Sequence, residues 1–326
     1  MKILVTGGLG FIGSNFILNL LKKYPNYQIT NIDDELHGSN HQNILEIKNK
    51  ENYKFIKGNI TDNSIIEKLV SDIDIVINFA AESHVDRSIS NAKPFMDSNI
   101  MGVFTILENI RKFRKKLIHI STDEVFGSLT SQSANEDFKL NPSSPYAASK
   151  ASAELLVNSY FKTYDCNVMI TRCTNNYGPK QFPEKLIPKT IILANLNKSI
   201  PIYGTGKNIR DWIFVNDHCS AIEKIMHEGI AGESYNISST NEINNITIIE
   251  KILSHIGKNK DLINYVDDRP GHDFRYSLDS SKIRKLGWKP KMDFNEGIEE
   301  TVDWYLENKS WWSNIDQDIL GLTPWK

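Results

Sequence analysis

The chain has 326 residues, 40% apolar and 24% charged, with a formal net charge of −2, the balance of a soluble globular protein with a sizeable buried core. So small a charge gives no electrostatic case for nucleic acid or a membrane surface as partner, and no stretch approaches the ~20 apolar residues of a membrane span. Three cysteines, Cys166, Cys173 and Cys219, form no CxxC pair and argue by their odd number against a disulfide framework, so reduced thiols in the cytoplasm and no metal are expected.

In chain order, residues 2–6 (KILVT) open a series of short β-branched runs that continues at 28–32, 53–56, 73–79, 117–121 and 167–171. Gly7 and Gly8 interrupt the first apolar run, so no secretory signal is expected. Amphipathic stretches at 11–23, 64–70 and 95–113 fall between the runs and predict helices. Short, nearly all-apolar strands alternating with helices imply a parallel sheet covered on both faces, an α/β, doubly wound, Rossmann-type domain over residues 1–175. Ser144-Pro145 is a sound helix start, with a capping hydroxyl and a proline at the first helical position, so Tyr146 sits in the first turn. From 176 to 326 prolines 179, 183, 188 and 201 and loop-like stretches dominate; we read a smaller, mixed α/β domain, with some later segments returning to the first. The stretch from Trp311-Trp312 to Trp325 reads as a docked aromatic C-terminus.

The first strand runs straight into Thr6-Gly7-Gly8-Leu9-Gly10-Phe11-Ile12-Gly13 and then a helix. Glycines at 7, 10 and 13 allow a tight turn, close approach of backbone N–H groups to a pyrophosphate, and close helix–strand packing. The helix N-terminus adds a favourable dipole for the anion. Twenty residues beyond Gly13, at the end of the second strand, stands Asp33, an acceptor for the ribose hydroxyls of a dinucleotide. Asp34 and Glu35 follow it. Carboxylates there repel a 2′-phosphate, so the expected cofactor is NAD rather than NADP.

Thr122-Asp123-Glu124 lie just past the strand at 117–121, where ligands of a doubly wound sheet bind. Tyr146 and Lys150, four apart on a helix, share one face. An ammonium beside a phenol favours the phenolate, so Tyr146 is expected to have a lowered pKa and to serve as a base toward an alcohol. An adjacent Asp and Glu aimed at the same pocket supply a second acid–base pair. An alcohol dehydrogenase needs one proton path; this chain offers two. Lys185, Arg210 and Arg269 are cations able to balance a diphosphate.

Seven motifs in fixed order, GGLGFIGSNF (7–16), FAAESHVDRSI (79–89), STDEVFG (121–127), SPYAASKAS (144–152), NNYGPKQFPEKLIP (175–188), RDWIFV (210–215) and RPGHDFRY (269–276), carry a resemblance that spans nearly the whole chain. It resembles the extended short-chain dehydrogenase/reductase superfamily and, within it, the dTDP-glucose 4,6-dehydratase family. The resemblance implies a nucleotide-sugar dehydration with transient hydride storage on NAD. In it Tyr146 deprotonates the C4 hydroxyl, Glu124 takes the C5 proton, Asp123 protonates the departing C6 hydroxyl, Thr122 bonds near C4, and Lys150 tunes Tyr146 and binds the nicotinamide ribose. It further implies a cofactor site of Gly7, Gly10, Phe11, Ile12, Gly13, Asp33, Asp34, Asn59, Ile60, Phe79, Ala80, Ala81, Ser83, Ser98, Ser121, Tyr146, Lys150 and Asn176. The implied sugar-nucleotide contacts are Ser83, Thr122, Asn175, Lys185, Leu186, Pro201, Ile202, Tyr203, Arg210, Asn236 and residues 268–272, with Arg269 and His272 among them. A homodimer through the helices at 95–113 and 145–164 is also implied.

The chain departs from the family at the cofactor edge. Asp34-Glu35-Leu36-His37 replaces Lys-Leu-Thr-Tyr, Asn59-Ile60 replaces Asp-Ile, Ser98 replaces a threonine, and Phe126 replaces a tyrosine. Three alternatives stay open: a 4,6-dehydratase of another nucleotide sugar such as UDP-glucose, a nucleotide-sugar 4-epimerase, and a non-catalytic NAD-binding protein.

Overall fold

Residues 1–315 and 317–321 are described in the computed structural model. The strands are β1 (Lys2–Thr6), β2 (Gln28–Asp33), β3 (Tyr53–Lys57), β4 (Ile75–Asn78), β5 (Lys116–Thr122), β6 (Asn167–Cys173), β7 (Asn175–Tyr177), β8 (Ile200–Tyr203), β9 (Ile209–Phe214), β10 (Ser234–Ile237), β11 (Glu242–Asn244) and β12 (Ile263–Val266). The helices used below are α1 (Phe11–Lys23), α2 (Asn63–Ser71), α3 (Val85–Ser90), α4 (Lys93–Met96), α5 (Val103–Phe113), α6 (Pro145–Tyr164), α7 (Leu186–Asn195), α8 (Val215–Glu228), α9 (Asn245–Ile256), α10 (Ser281–Lys285) and α11 (Phe294–Glu307).

Seven parallel strands form one sheet in the order β10-β6-β5-β4-β1-β2-β3. Every residue of β4 is buried, because a parallel sheet carries helices on both faces and has no solvated side. Phe16 and Ile17 of α1 and Ile222 and Ile225 of α8 pack with Ile3 and Val5 on one face. Ile66 of α2, Ile106 of α5 and Val157 of α6 pack with Leu4 and Val76 on the other. The chain reverses the order of its windings between β1 and β4, and that reversal opens a crevice beyond the strands' carboxyl ends.

A second lobe holds the three-stranded sheet β11-β9-β7 and the pair β12-β8. Its core joins Tyr177, Ile187, Trp212, Phe214, Ile248, Ile298, Val302 and Tyr305. Trp311 and Trp312 belong to that core, and their indoles donate to Asn43 Oδ1 (2.9 Å) and Tyr305 O (2.9 Å). The aromatic C-terminal reading thus rests on those two residues; Trp325 lies outside the described residues.

A segment beyond 176 contributes to the large sheet, since β10 pairs with β6. One feature differs from the linear reading: the helix expected over 95–113 is broken, with α4 followed by a π-helical stretch, Asp97–Gly102, before α5 begins. Asn99 explains the wide turn. Its side chain accepts from Glu82 N (2.9 Å) and donates to Glu82 O (3.0 Å) and Ser149 Oγ (2.9 Å), pulling the backbone toward the crevice. Gly102 sits against Ile60, where a Cβ would meet Ile60 Cδ1 at 2.4 Å. The widened turn aims both Ser98 and Met101 into the crevice, a common use of π-turns near functional sites.

Candidate active site

The crevice is a cavity of about 770 Å³ lined from both lobes. Its floor is the turn after β1. Gly7 has φ +70°, and a Cβ there would stand 2.7 Å from Ala80 N. A Cβ on Gly13 would meet Gly7 O at 2.5 Å. Only glycines let the backbone fold this closely, leaving N–H groups and a helix N-terminus facing the cavity. Asp33 closes the second side: Oδ2 accepts from Leu9 N (3.0 Å), and Oδ1 from Glu35 N (3.0 Å) and Ser39 Oγ (2.6 Å). The carboxylate is therefore held in one orientation with acceptor capacity to spare.

The three-acid run divides its tasks. Asp33 and Asp34 line the cavity, and Asp34 accepts from Asn59 Nδ2 at 2.7 Å. Glu35, in the left-handed region at φ 56°, turns away to bind His41 (2.8 Å) and Lys57 (2.5 Å). The substitutions at 34 and 59 thus form a mutually bonded pair. A side-chain-free cradle for a pyrophosphate, an oriented ribose acceptor and a neighbouring carboxylate fit NAD and disfavour a 2′-phosphate. Every residue expected at the cofactor, Gly7, Gly10, Phe11, Ile12, Gly13, Asp33, Asp34, Asn59, Ile60, Phe79, Ala80, Ala81, Ser83, Ser98, Ser121, Tyr146, Lys150 and Asn176, lines this one cavity.

Thr122, Asp123 and Glu124 end β5 on its inner side and enter a short 3₁₀ turn. Thr122 Oγ1 donates to Asp123 Oδ1 (3.1 Å) and accepts from Glu124 N (3.3 Å). Asp123 is 4% exposed, and its Oδ2 has no protein partner. Burial, with the Glu124 charge beside it, pushes its carboxyl well above the usual range. Burial also raises Glu124, while Arg269, Arg210 and Lys185 pull it back down. A protonated acid and an adjacent base follow from this difference in surroundings.

Ser144 caps α6 by accepting from Ala147 N (3.1 Å), and Pro145 opens its first turn. This places Tyr146 over the cavity beside Thr122. The expectation of a lowered phenol pKa needs correction. Lys150 Nζ donates to Ile120 O at 2.6 Å, and burial lowers the ammonium to about 8. Burial and the nearby Glu124 push the Tyr146 hydroxyl well above 10, with a Thr122 hydrogen bond opposing them. Helical spacing puts the two residues on one face, but the lysine head is tied to the β5 backbone and the nearest charges to the phenol are negative. Tyr146 is a neutral hydroxyl in this arrangement.

In the second lobe, Asn175 and Lys185 line the same cavity, and Lys185 Nζ donates to Ser83 O (3.1 Å). Leu186 begins α7 directly after it. Arg210 is 5% exposed; it donates to Asp273 O (2.9 Å), Ile209 O (2.8 Å) and Phe274 O (3.2 Å) and lies over the Tyr276 ring at 4.2 Å. Arg269 pairs with Asp86 (2.7 Å), to which Tyr203 also donates (3.1 Å). Both arginines feel the Glu124 charge. His272 binds Asp268 Oδ1 at 2.6 Å, and burial lowers it to about 4. Pro201 and Ile202 lie on β8, and the Ile202 side chain packs into a core with Leu193 and Ile249. Asn236 is fully buried on β10 and donates to Ala134 O (2.9 Å). Of the expected sugar-nucleotide contacts, Ser83, Thr122, Asn175 and Lys185 line the cavity, whereas Leu186, Pro201, Ile202, Tyr203, Arg210, Asn236, Arg269 and His272 do not.

Residues that sequence reasoning passed over also line it, notably Glu184, Cys173, Thr174 and Gln181. Glu184 binds His37 (2.6 Å) and stands near His84 (3.8 Å) and Lys185 (3.9 Å), which hold its carboxyl down at about 2 against burial. His37 and Glu184 therefore bridge the two walls of the cofactor groove. Glu184 lies inside the 175–188 motif, which was the available signal. Among the described residues no cluster of His, Cys, Asp and Glu is placed to hold a metal ion, and no helix is long and apolar enough to cross a membrane.

A Rossmann-type sheet with a glycine cradle, an oriented acid, and a Tyr-Lys helix facing two acids define an extended short-chain dehydrogenase/reductase. The description "GDP-mannose 4,6 dehydratase" matches residues 4–301. The dTDP-glucose 4,6-dehydratase of Streptomyces niveus is 43% identical over 321 residues, covering 97% of this chain and 96% of that one. Among solved structures, the dTDP-glucose 4,6-dehydratase of Bacillus anthracis in complex with NAD superposes with a TM-score of 0.92 at 44% identity, covering 97% of this chain and 100% of that one. DesIV, the dTDP-glucose 4,6-dehydratase of Streptomyces venezuelae, with NAD bound, gives 0.95 at 41% with the same coverage. The chain belongs to the dTDP-glucose 4,6-dehydratase family.

Proposed function

We propose that this protein converts dTDP-glucose to dTDP-4-keto-6-deoxyglucose and water with NAD as its cofactor. The observation that carries the reading is the pair Asp123–Glu124, a buried and a half-buried carboxyl group, both with raised pKa, beside Tyr146 in one cavity. A 4-epimerase acts at one carbon and has no use for an acid and a base at two further ones. A non-catalytic NAD-binding protein would have no use for Tyr146 and Lys150 either.

NAD, when bound, would supply the hydride acceptor for C4 and the hydride donor for C6. The glycine turn, Asp33, Asp34 and the π-helical stretch would hold it. Tyr146 acts as base toward the C4 hydroxyl once its phenol has given its own proton to solvent, and Lys150, the cation one helical turn away, compensates the charge of the phenolate. The 4-ketone acidifies the C5 hydrogen, which Glu124 takes as base. Asp123, protonated at rest by burial, gives its proton to the departing C6 hydroxyl. Thr122 orients both partners through its bonds to Asp123 and Glu124.

Lys185, Arg210 and Arg269 support nucleotide-sugar binding by the second lobe from about residue 176 onward: Lys185 lines the cavity, and both arginines act electrostatically on Glu124. The free, buried thiols of Cys166, Cys173 and Cys219 support a cytoplasmic location. Exposed Phe104 and Leu155 support a homodimer through the segments 95–113 and 145–164. Incubation with dTDP-glucose and, separately, UDP-glucose, followed by proton NMR, tests the reading. The expected outcome is a 4-keto-6-deoxy product from dTDP-glucose. Product from UDP-glucose alone reassigns the base, and a C4 epimer without water loss replaces the reaction.

A further inference from the structure

Glu124 must lose the proton it takes, and the half-buried position that makes it a base also separates it from water once a sugar fills the cavity. Three residues outside the reacting set lead away from it. Tyr276 is 3% exposed, and its hydroxyl lies 3.4 Å from Glu124 Oε2 and 2.7 Å from Asp273 Oδ2. Asp273 is 8% exposed, and the same Oδ2 accepts a short hydrogen bond from Ser143 Oγ. Ser143 is exposed at the surface, just before the α6 cap. The row is braced along its length. The Arg210 guanidinium covers the Tyr276 ring and donates to the Asp273 carbonyl, and a Cβ on Gly271 would stand 3.2 Å from the Ser143 carbonyl.

We propose that Tyr276, Asp273 and Ser143 form a proton relay that connects Glu124 to solvent during dehydration. One phenol hydrogen sits within reach of two carboxyl groups, and one carboxylate oxygen serves both hydroxyls, so the proton can pass without rotation of Asp273. Glu124 Oε2–H gives its proton to Tyr276 Oη as the Tyr276 O–H bond breaks toward Asp273 Oδ2. The new Asp273 O–H is then taken by Ser143 Oγ as Ser143 releases its own proton to water. Glu124 and Asp273 both end as carboxylates, and one proton has left. The reverse path brings a solvent proton to Glu124 for return to C5. The relay residues touch neither sugar nor cofactor in this scheme; they act through Glu124.

The inference rests on Glu124 being the C5 base of the proposed reaction, and its test separates the two. dTDP-glucose carrying deuterium at C5 is converted in ordinary water, and the C5 position of the product is read by NMR and mass spectrometry. Wild-type protein is expected to release most of the label. In Tyr276→Phe the abstracted deuteron has no exit and returns to the same carbon, so the product retains most of it, while kcat falls by about 10²-fold, the low end of the range for assisted proton transfer. Ser143→Ala, a change at an exposed site, is expected to raise retention to a smaller degree with KM unchanged. A loss of packing alone would lower kcat and leave the retained fraction where it was. Label loss in both variants as complete as in wild type overturns the relay and leaves the dehydratase reading intact. Absence of 4-keto-6-deoxy product from the wild type overturns both. Should Tyr276→Phe not fold, Ser143→Ala decides the matter: raised retention supports the relay, unchanged retention overturns it.

Discussion

At the scale of single residues, two neighbouring carboxyls receive opposite roles from their surroundings. At Asp123 burial and the Glu124 charge outweigh the pull of Arg210, and Oδ2 is unpartnered, whereas Arg269, Arg210 and Lys185 all pull Glu124 down. Asp123→Asn therefore keeps the base but loses the proton donor. The variant is expected to exchange the C5 hydrogen of dTDP-glucose with solvent while product formation falls by about 10²–10⁴-fold; NMR in deuterium oxide reads both. Equal loss of exchange and product would assign Asp123 to an earlier step. A second residue, His218, escaped notice in the sequence because a lone histidine on an apolar helix face carries no signal. It is fully buried, and its Nδ1 lies 2.9 Å from Asn176 Oδ1. Asn176 Nδ2 already donates to Thr174 O (3.0 Å) and Cys173 Sγ (3.4 Å), so its oxygen must accept and His218 must be the donor. Burial lowers His218 to about 3. The folded state then stays unprotonated where the unfolded chain, near 6.5, binds a proton. The stability contribution is fully present above about pH 6.5 and is lost as pH falls toward 3, at roughly 1.4 kcal/mol per unit. In His218→Gln, urea unfolding at pH 7.5 and 5.5 should show a pH dependence shallower by that one proton.

At the scale of elements, the first half of the fold was legible because its central parallel strands, β1 and β4, are buried on both faces and so read as nearly unbroken apolar runs. Strand β1 and helices α1 and α6 fall where the pattern puts them. The π-helical break was not legible, since it is made by Asn99 reaching Glu82 and Ser149, contacts that no local pattern announces. Nor was the anchor between α6 and β6. Glu154, with no exposed side-chain surface, accepts both Nε and Nη2 of Arg172 (3.0 and 2.7 Å), and that guanidinium also covers Phe126 at 4.9 Å and donates to Glu136 O (3.0 Å). This pair fixes the helix that carries Tyr146 and Lys150 to the strand that ends beneath them. Removing one partner leaves an uncompensated buried charge, a cost of about 3–5 kcal/mol. Arg172→Leu is expected to lose that much in urea unfolding, and Arg172→Leu with Glu154→Leu to recover a large part of it. A loss under about 1 kcal/mol in the single variant would mean that the pair is solvated and does not anchor the helix.

At the scale of the whole molecule, the chain crosses between its lobes more than once. The segment Ser234–Ile237 holds a single β-branched residue, so its place at the edge of the large sheet follows from α8, which returns the chain to the face shared with α1. The catalytic groups follow the same logic of shared elements. Ser98 and Met101 sit on the π-helical stretch, and Tyr146 and Lys150 on α6. Phe104 of α5 (41%) and Leu155 of α6 (62%) are exposed. The proposed homodimer would bury them, with a two-fold axis letting each copy cover the other's side chains. The double variant Phe104→Glu, Leu155→Glu places charges on both helices without touching the core beneath. Light scattering is expected to give twice the chain mass for wild type and one chain mass for the variant, with far-ultraviolet circular dichroism unchanged. Because α6 also presents Tyr146 and Lys150 to the cavity, separation should also weaken NAD retention through gel filtration. A wild type that scatters as a single chain would remove the dimer.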